Sequence, residues 1–162
     1  YICLHINNKW NWIMRKINLI VLHCSATRET MEYTPEQLER DHKARGFFSA
    51  GYNYYIRRSG EVVPMRPPEQ IPAHAKGYNA FSLGICYEGG LDADGHPKDT
   101  RTERQKLSIR GLLLLLLVRY PGCRICGHRD LSPDRNGDGK ITRDEWLKEC
   151  PCFDAEEEYG IL

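Results

Sequence analysis

The chain has 162 residues, of which 23 are lysine or arginine and 22 are aspartate or glutamate, so the formal net charge is +1. This length suits one domain with a substantial hydrophobic core, and this charge provides no general basic surface for nucleic acid or an anionic membrane. The longest wholly apolar run, at 112–118, is too short for a transmembrane helix, which needs roughly 20 residues.

The first 13 residues differ in pattern from the chain that follows them. They lack the basic start, apolar centre and small-residue cleavage site of a secretory signal. We therefore expect an N-terminal extension at 1–13 and a domain over 14–162, with an ordinary N-terminal strand or helix as the alternative. Without a recognisable signal, synthesis in the cytoplasm is expected.

The first predicted elements are two strand regions separated by a helix. Residues 17–23 form a β-branched apolar run that predicts a buried strand. A capping box beginning at Thr34 predicts a helix over 34–45. Residues 52–58 and 61–65 flank a Ser-Gly pair and predict a hairpin.

The second half of the chain continues this alternation. Residues 82–88 predict a core strand, a capping box at Thr102 begins a helix that ends near 120–122, and 123–127 predict a last short strand. Six consecutive leucines at 112–117 predict a helix covered by the sheet on one side and by another element on the other. The alternation predicts an α/β fold, a single domain with a central mixed β-sheet flanked by helices.

The side chains suited to metal binding lie mainly at strand ends. Seven cysteines cannot all pair within one chain, so unpaired cysteine beside six histidines raises the question of a metal. His23 and His128 lie where predicted strands end, and Cys150 precedes a proline. Two imidazoles and one thiolate leave the fourth tetrahedral position of a zinc ion for water, as in catalytic sites. Spacing alone leaves open that these histidines are simply satisfied by hydrogen bonds.

A four-cysteine structural zinc site is the rival interpretation of the same region. Its ligands would be Cys123, Cys126, Cys150 and Cys152. A strand over 123–127, however, points side chains three residues apart to opposite faces of the sheet, so the first two cysteines could not hold one ion.

Five segments then point to a known family. They are VLHCSAT (21–27), GYNYYIRRSGEV (51–62), HAKGYNAFSLGICYEGG (74–90), GHRDLSP (127–133) and KECPCFD (148–154). In this order, over roughly residues 15–154, the sequence resembles zinc-dependent N-acetylmuramoyl-L-alanine amidases. The likeness is strongest to the phage-lysozyme type within the peptidoglycan recognition protein superfamily.

The resemblance implies a role for several residues. His23, His128 and Cys150 match the zinc ligands, while Tyr52 and Lys148 match catalytic residues near the metal. Three further residues match positions in the loop lining the substrate groove: His74, Lys76 and Asn79.

The implied activity is zinc-dependent hydrolysis of the amide between the lactyl group of muramic acid and L-alanine in bacterial peptidoglycan. The expected partner is peptidoglycan or a muropeptide, bound by a monomer that acts on the wall after release, as a phage or prophage lysin does. A secretion-system effector or a recycling enzyme would have the same sequence features. The alternative from another class is a recognition module that binds peptidoglycan without cleaving it, but such relatives lack the cysteine ligand.

Residues 134–145, DRNGDGKITRDE, depart from the short loop of the common phage-lysozyme pattern. Their spacing matches a twelve-residue calcium loop with glycine at position six for the sharp turn. The predicted ligands are Asp134, Asn136, Asp138, the carbonyl of Lys140, Thr142 and Glu145. The alternative is a polar turn facing water, since no clear helix precedes the loop and no second loop pairs with it. A calcium-binding regulatory protein would explain only this segment.

Overall fold

The computed structural model describes residues 15–162, so the predicted extension at 1–13 lies outside the described residues. Its helices and strands follow the predicted order. The strands are β1 (Leu19–Cys24), β2 (Thr27–Arg28), β3 (Tyr54–Ile56), β4 (Val62–Pro64), β5 (Ser82–Tyr87), β6 (Gly90–Leu91) and β7 (Arg124–Gly127), and the α-helices are α1 (Pro35–Ala44), α2 (Glu103–Arg119) and α3 (Ala155–Tyr159).

A mixed five-stranded sheet forms the centre of the described domain, in the order β4-β3-β5-β1-β7. Strand β1 pairs in parallel with β5 and with β7, β3 pairs in parallel with β5, and β4 closes the edge as the antiparallel arm of the predicted hairpin. This arrangement confirms the predicted α/β fold with a mixed sheet. Because β1 and β7 run in parallel, their carboxyl ends meet at one edge of the sheet.

Alternation along β1 decides which face of the sheet carries the metal candidates. Ile20 and Leu22 pack in the larger core cluster, while Leu19 and Val21 pack on the opposite face with Cys126. His23 continues the second set, since successive side chains of a strand point to opposite faces. Its side chain therefore projects on the face opposite α2.

The prediction that α2 is covered on two sides is wrong. Ile109, Leu113 and Leu116 are buried against the sheet, whereas Leu115 is 71% exposed and Leu114 is 45% exposed. A helix of six leucines needs only one buried face, because residues three and four apart supply that face and the others look outward. No helix among residues 15–162 combines the length and the apolar composition needed to cross a lipid bilayer.

The rival four-cysteine zinc site does not form in the described residues. Cys123 packs in the larger core cluster near α2, whereas Cys126 packs on the other face of the sheet with Leu19 and Val21. The opposite faces expected for a strand therefore separate these two thiols.

Both predicted capping boxes are present, and the second also links its helix to the sheet. Gln37 accepts a hydrogen bond from the Thr34 amide at 2.8 Å, and Gln105 accepts one from the Thr102 amide at 3.0 Å. The buried amide of Gln105 also donates to the carbonyls of Ile56 and Glu88, at 3.1 and 3.0 Å. Gln105 thus ties α2 to the ends of β3 and β5.

We expect Gln105→Ala to lower the free energy of unfolding by about 2–4 kcal/mol, because it removes two buried hydrogen bonds to backbone carbonyls as well as the capping contact. The Ile56 carbonyl keeps the Glu88 amide as a donor, so the Glu88 carbonyl is the group that loses more. Gln37→Ala is the matched control, since it removes the same capping contact without other partners, and its cost is expected near 1 kcal/mol. Urea denaturation of the two variants measures the difference. Equal losses would show that the contacts of Gln105 with β3 and β5 contribute nothing.

Candidate metal centre and groove

The sheet edge brings the two strand-end histidines together. His23 is the fifth residue of β1, and His128 directly follows β7, where its amide donates to the Leu22 carbonyl at 3.1 Å. The ring centroids of the two histidines lie 4.6 Å apart. The parallel pairing of β1 and β7 therefore places both imidazoles at one end of the sheet, although 105 residues separate them in the numbering of the chain.

Cys150 reaches the same point from a loop that folds back over the sheet edge. The amide of Cys24 donates to the Cys150 Sγ at 3.3 Å, and the amide of Arg129 donates to the Cys150 carbonyl at 2.7 Å. A Cβ at Gly127 would lie only 2.5 Å from the Cδ of Pro151, so glycine at the end of β7 gives the loop room to approach. The Gly127-His128 pair at the end of β7 and the Cys150-Pro151 pair of the loop thus pack directly against each other.

The three side chains fit a tetrahedral zinc ion. One ligand-type atom from each of His23, His128 and Cys150 lies within 4.8 Å of the others. The His23 Nδ1 is 3.8 Å from the Cys150 Sγ. Zinc bonds of about 2.0 Å to nitrogen and about 2.3 Å to sulfur, at a tetrahedral angle, would place those atoms about 3.5 Å apart.

The protonation states also suit a metal. Burial holds the pKa of His23 well below its usual value, and neighbouring His74, His128 and Lys148 act in the same direction. Burial, followed by Lys148, lowers the pKa of His128 to about 4. Both imidazoles are therefore neutral near pH 7, which is the form that binds zinc.

Tyr52 and Lys148 lie beside this centre. A cavity of about 290 Å³ is lined by both residues together with His128 and Cys150. The Tyr52 ring centroid is 5.1 Å from that of His23. Burial raises the pKa of Tyr52 well above its usual value, so the hydroxyl stays protonated at any working pH. Lys148 is exposed at the cavity rim.

The three predicted groove residues are in different environments. An adjoining cavity of about 500 Å³ is lined by His74, Lys76 and Asn79. Lys76 is exposed there. The Asn79 Oδ1, by contrast, accepts hydrogen bonds from the backbone amides of His74 and Ala75, at 3.0 and 2.8 Å. His74 itself lies 2.9 Å from the zinc candidate His23, between its Nδ1 and the His23 Nε2.

Sequence reasoning missed two residues that shape the groove. His42 is buried, lines the smaller cavity and accepts a hydrogen bond from the Gly51 amide at 2.7 Å. Its spacing of four from Leu38 on a helix was an available signal that it faces inward. Arg15 donates to backbone carbonyls across the loop that carries His74, including those of Gln70 and Ser82. No motif marked this arginine.

The predicted calcium loop turns its carboxylates toward its own backbone. Asp134 accepts from the Gly139 amide at 2.8 Å, and Glu145 accepts from the Thr142 amide at 2.9 Å. Among residues 15–162, Asp134, Asp138 and Glu145 do not form a group with ligand atoms within 4.8 Å of one another. The loop is nonetheless joined to the metal centre through its neighbour Trp146.

Arg129 stacks on the ring of Trp146 and so connects it to the candidate metal centre. The Arg129 guanidinium carbon lies 4.0 Å from the centroid of the Trp146 ring. Arg129 directly follows His128, and its amide holds the Cys150 carbonyl. The end of the 134–145 loop is therefore packed against the segment that joins two of the three candidate ligands.

Comparison with known proteins decides the family. A family model described as N-acetylmuramoyl-L-alanine amidase matches residues 14–145. The chain belongs to this amidase family. The matched range includes His23, Tyr52 and His128 but ends before Lys148 and Cys150, so the likeness to the family model does not assign those two residues.

Relatives of the amidase include phage enzymes and animal proteins. An endolysin of Klebsiella phage KP32 is 37% identical over 135 residues, which cover 83% of this chain and 80% of the phage protein. The structure of N-acetylmuramoyl-L-alanine amidase LysC from Clostridium intestinale URNW matches with a TM-score of 0.67 at 27% identity, over 91% of this chain and 83% of that chain. Drosophila PGRP-LB shares the fold, with a TM-score of 0.63 at 20% identity, over 84% of this chain and 75% of that chain. The chain is thus an N-acetylmuramoyl-L-alanine amidase related to phage endolysins.

Proposed function

We propose that this amidase depends on zinc held by His23, His128 and Cys150, and that it cuts the amide between muramic acid and L-alanine in peptidoglycan. The observation that carries the zinc proposal is the convergence of two neutral imidazoles and one thiol within 4.8 Å, beside a cavity that His128 and Cys150 line. Three protein ligands leave one tetrahedral position open, as in catalytic rather than structural zinc sites.

The chemistry of amide hydrolysis gives the neighbouring residues distinct tasks. When bound, zinc would supply a Lewis acid that polarises the scissile carbonyl and lowers the pKa of water. The ammonium of Lys148, at the rim of the cavity, would stabilise negative charge developing on the carbonyl oxygen. The protonated hydroxyl of Tyr52 would orient the attacking water or assist the proton transfer to the leaving amine. Lys76, exposed on the adjoining cavity, would contact the substrate.

The experiment that tests this function is digestion of purified sacculi by the zinc-loaded chain. We expect stem peptides with a free L-alanine amino group and glycan strands that keep intact sugar linkages. Sacculi that bind the protein without release of peptides would instead support a recognition module. The Cys150 thiol beside His23 and His128 favours the enzyme, because the non-catalytic relatives lack that ligand.

We further propose a lysin-like role for the amidase as a monomer that acts on the wall after its release. Endolysins of several phages are related to this chain over most of their length. Rates on intact sacculi and on soluble muropeptides distinguish this role from recycling of wall fragments. A strong preference for soluble fragments would favour the recycling role.

We also propose that the 134–145 loop binds calcium through the six predicted ligands. The support is the match of the twelve positions to the calcium-loop pattern. The ion would stiffen the segment between His128 and Lys148 and so fix the catalytic groups.

Calcium is expected to stabilise the zinc-loaded chain by about 2.7 kcal/mol at 100 times its dissociation constant. Asp138→Ala should abolish this effect, while Glu61→Ala, at an exposed position elsewhere and outside any group of possible metal ligands, should leave it unchanged. Calorimetric titration and thermal unfolding measure both. Absence of binding heat, or unchanged stability after calcium is chelated and zinc is replenished, would contradict the proposal.

A further inference from the structure

A chain of three hydrogen bonds leads away from the metal centre through His74. The His23 Nε2 lies 2.9 Å from the His74 Nδ1, and the His74 Nε2 lies 3.1 Å from the Ser82 Oγ. The Ser82 hydroxyl in turn donates to the Tyr78 carbonyl at 2.8 Å. Both ring nitrogens of His74 are therefore engaged, and neither is left for a substrate.

The direction of this chain is fixed from both ends. The Tyr78 carbonyl can only accept, so the hydroxyl hydrogen of Ser82 points to it and the Ser82 Oγ accepts from the His74 Nε2. A neutral His74 then has a free lone pair on Nδ1. At the other end, the His23 Nδ1 faces the Cys150 Sγ at 3.8 Å, so a metal bound there leaves the His23 hydrogen on Nε2. That hydrogen points at the free lone pair of His74.

The surroundings of His74 hold the ring in this position. A Cβ at Gly84 would lie 2.7 Å from the ring atoms of His74, so the ring is pressed against the backbone of β5. The Asn79 side chain accepts hydrogen bonds from the His74 and Ala75 amides. The position of His74 is therefore set by its own loop and by the sheet, independently of any substrate.

We propose that His74 is a positioning residue, which fixes the tautomer and the orientation of the zinc ligand His23, and that Ser82 fixes His74 in turn. This inference rests on the proposed zinc function. It replaces the expectation from family resemblance that His74 binds substrate. Partners of this kind typically change metal affinity by about 10–100-fold.

Two amide substitutions separate the contacts of the two ring nitrogens. The amide group of asparagine occupies the position of the histidine Nδ1, whereas that of glutamine occupies the position of Nε2. His74→Asn keeps an acceptor for the His23 Nε2, while His74→Gln keeps only a partner for Ser82. We expect zinc affinity within about threefold of wild type for His74→Asn and reduced about 10–100-fold for His74→Gln.

Competition with a chromophoric chelator on the purified full chain measures these affinities, and thermal unfolding of the metal-free proteins controls for folding. Ser82→Ala, which leaves the ring in place, should weaken zinc binding in the same direction as His74→Gln. If either amide variant fails to fold, the Ser82→Ala affinity decides, and a wild-type value for Ser82→Ala would overturn the proposal.

The kinetic parameters provide a second readout. A positioning role predicts that His74→Gln, once saturated with zinc, keeps its KM for muropeptide, while a substrate contact predicts a raised KM with unchanged zinc affinity. Equal zinc affinities for the two amide variants would overturn the positioning role of His74 but leave the proposed zinc function standing. A wild-type chain that binds no zinc would instead overturn the proposed function, and the inference with it.

Discussion

Cys150→Ala is expected to remove most bound zinc and all measurable amidase activity. The thiol is one of only three candidate protein ligands, and no other cysteine, histidine or acid among residues 15–162 joins its group within 4.8 Å. Because partners one step removed from a metal already change affinity by about 10–100-fold, loss of a direct ligand should cost more. Metal analysis after dialysis and release of stem peptides from sacculi measure the two losses.

Cys152→Ala is the matched control for this prediction. Cys152 lies two residues further on, and its thiol contacts the Cys24 thiol at 3.9 Å and the Gly90 carbonyl instead of the histidines. We expect this variant to keep wild-type zinc content and activity. Full hydrolysis of sacculi by Cys150→Ala would contradict the zinc assignment, and loss of zinc from Cys152→Ala would revive a site with several cysteines.

Lys148→Ala is expected to keep its zinc while losing activity by about 10²–10³-fold in kcat, the usual effect of removing one group that stabilises an oxyanion. Lys148 lines both cavities but is not a candidate ligand. Its charge lowers the pKa of His128, so its removal lets that pKa rise from about 4 toward its usual value of 6.5. His128 still remains neutral above pH 7, and zinc binding there should not change.

Lys148→Arg separates charge from fine position. A guanidinium keeps the positive charge at the cavity rim, so this variant should recover part of the activity lost in Lys148→Ala. Zinc content near one ion per chain in both variants is the internal control. Wild-type kcat in Lys148→Ala would show that this lysine has no catalytic role.

Much of the site could be predicted because its parts lie at places that the sequence marks. His23 and His128 end apolar runs, and parallel pairing of those runs was enough to bring them to one sheet edge. Cys150 could not be placed by periodicity, because it lies in an irregular loop. It was a candidate as a thiol before a proline, and the family likeness then matched it to a zinc ligand. The close contact of Pro151 with Gly127 explains how the loop reaches the two histidines.

The features that the sequence could not predict have a common physical cause. The leucine run of α2 correctly predicted a helix but wrongly predicted that the helix is covered on two sides. Composition alone does not say which faces of a helix pack against other elements. His74 was expected in the groove by resemblance, and it does line the cavity there. Its hydrogen-bonding capacity, however, is used by His23 and Ser82. Such use depends on distances between residues far apart in sequence, which no local pattern contains.

The most direct test of the central claim is mass spectrometry of sacculi digested by wild-type chain of known zinc content. Zinc-loaded protein is predicted to release stem peptides that begin with a free L-alanine amino group, and metal-free protein to release none. Cleavage within the glycan or the peptide, or equal release by the metal-free protein, would contradict a zinc amidase built on His23, His128 and Cys150.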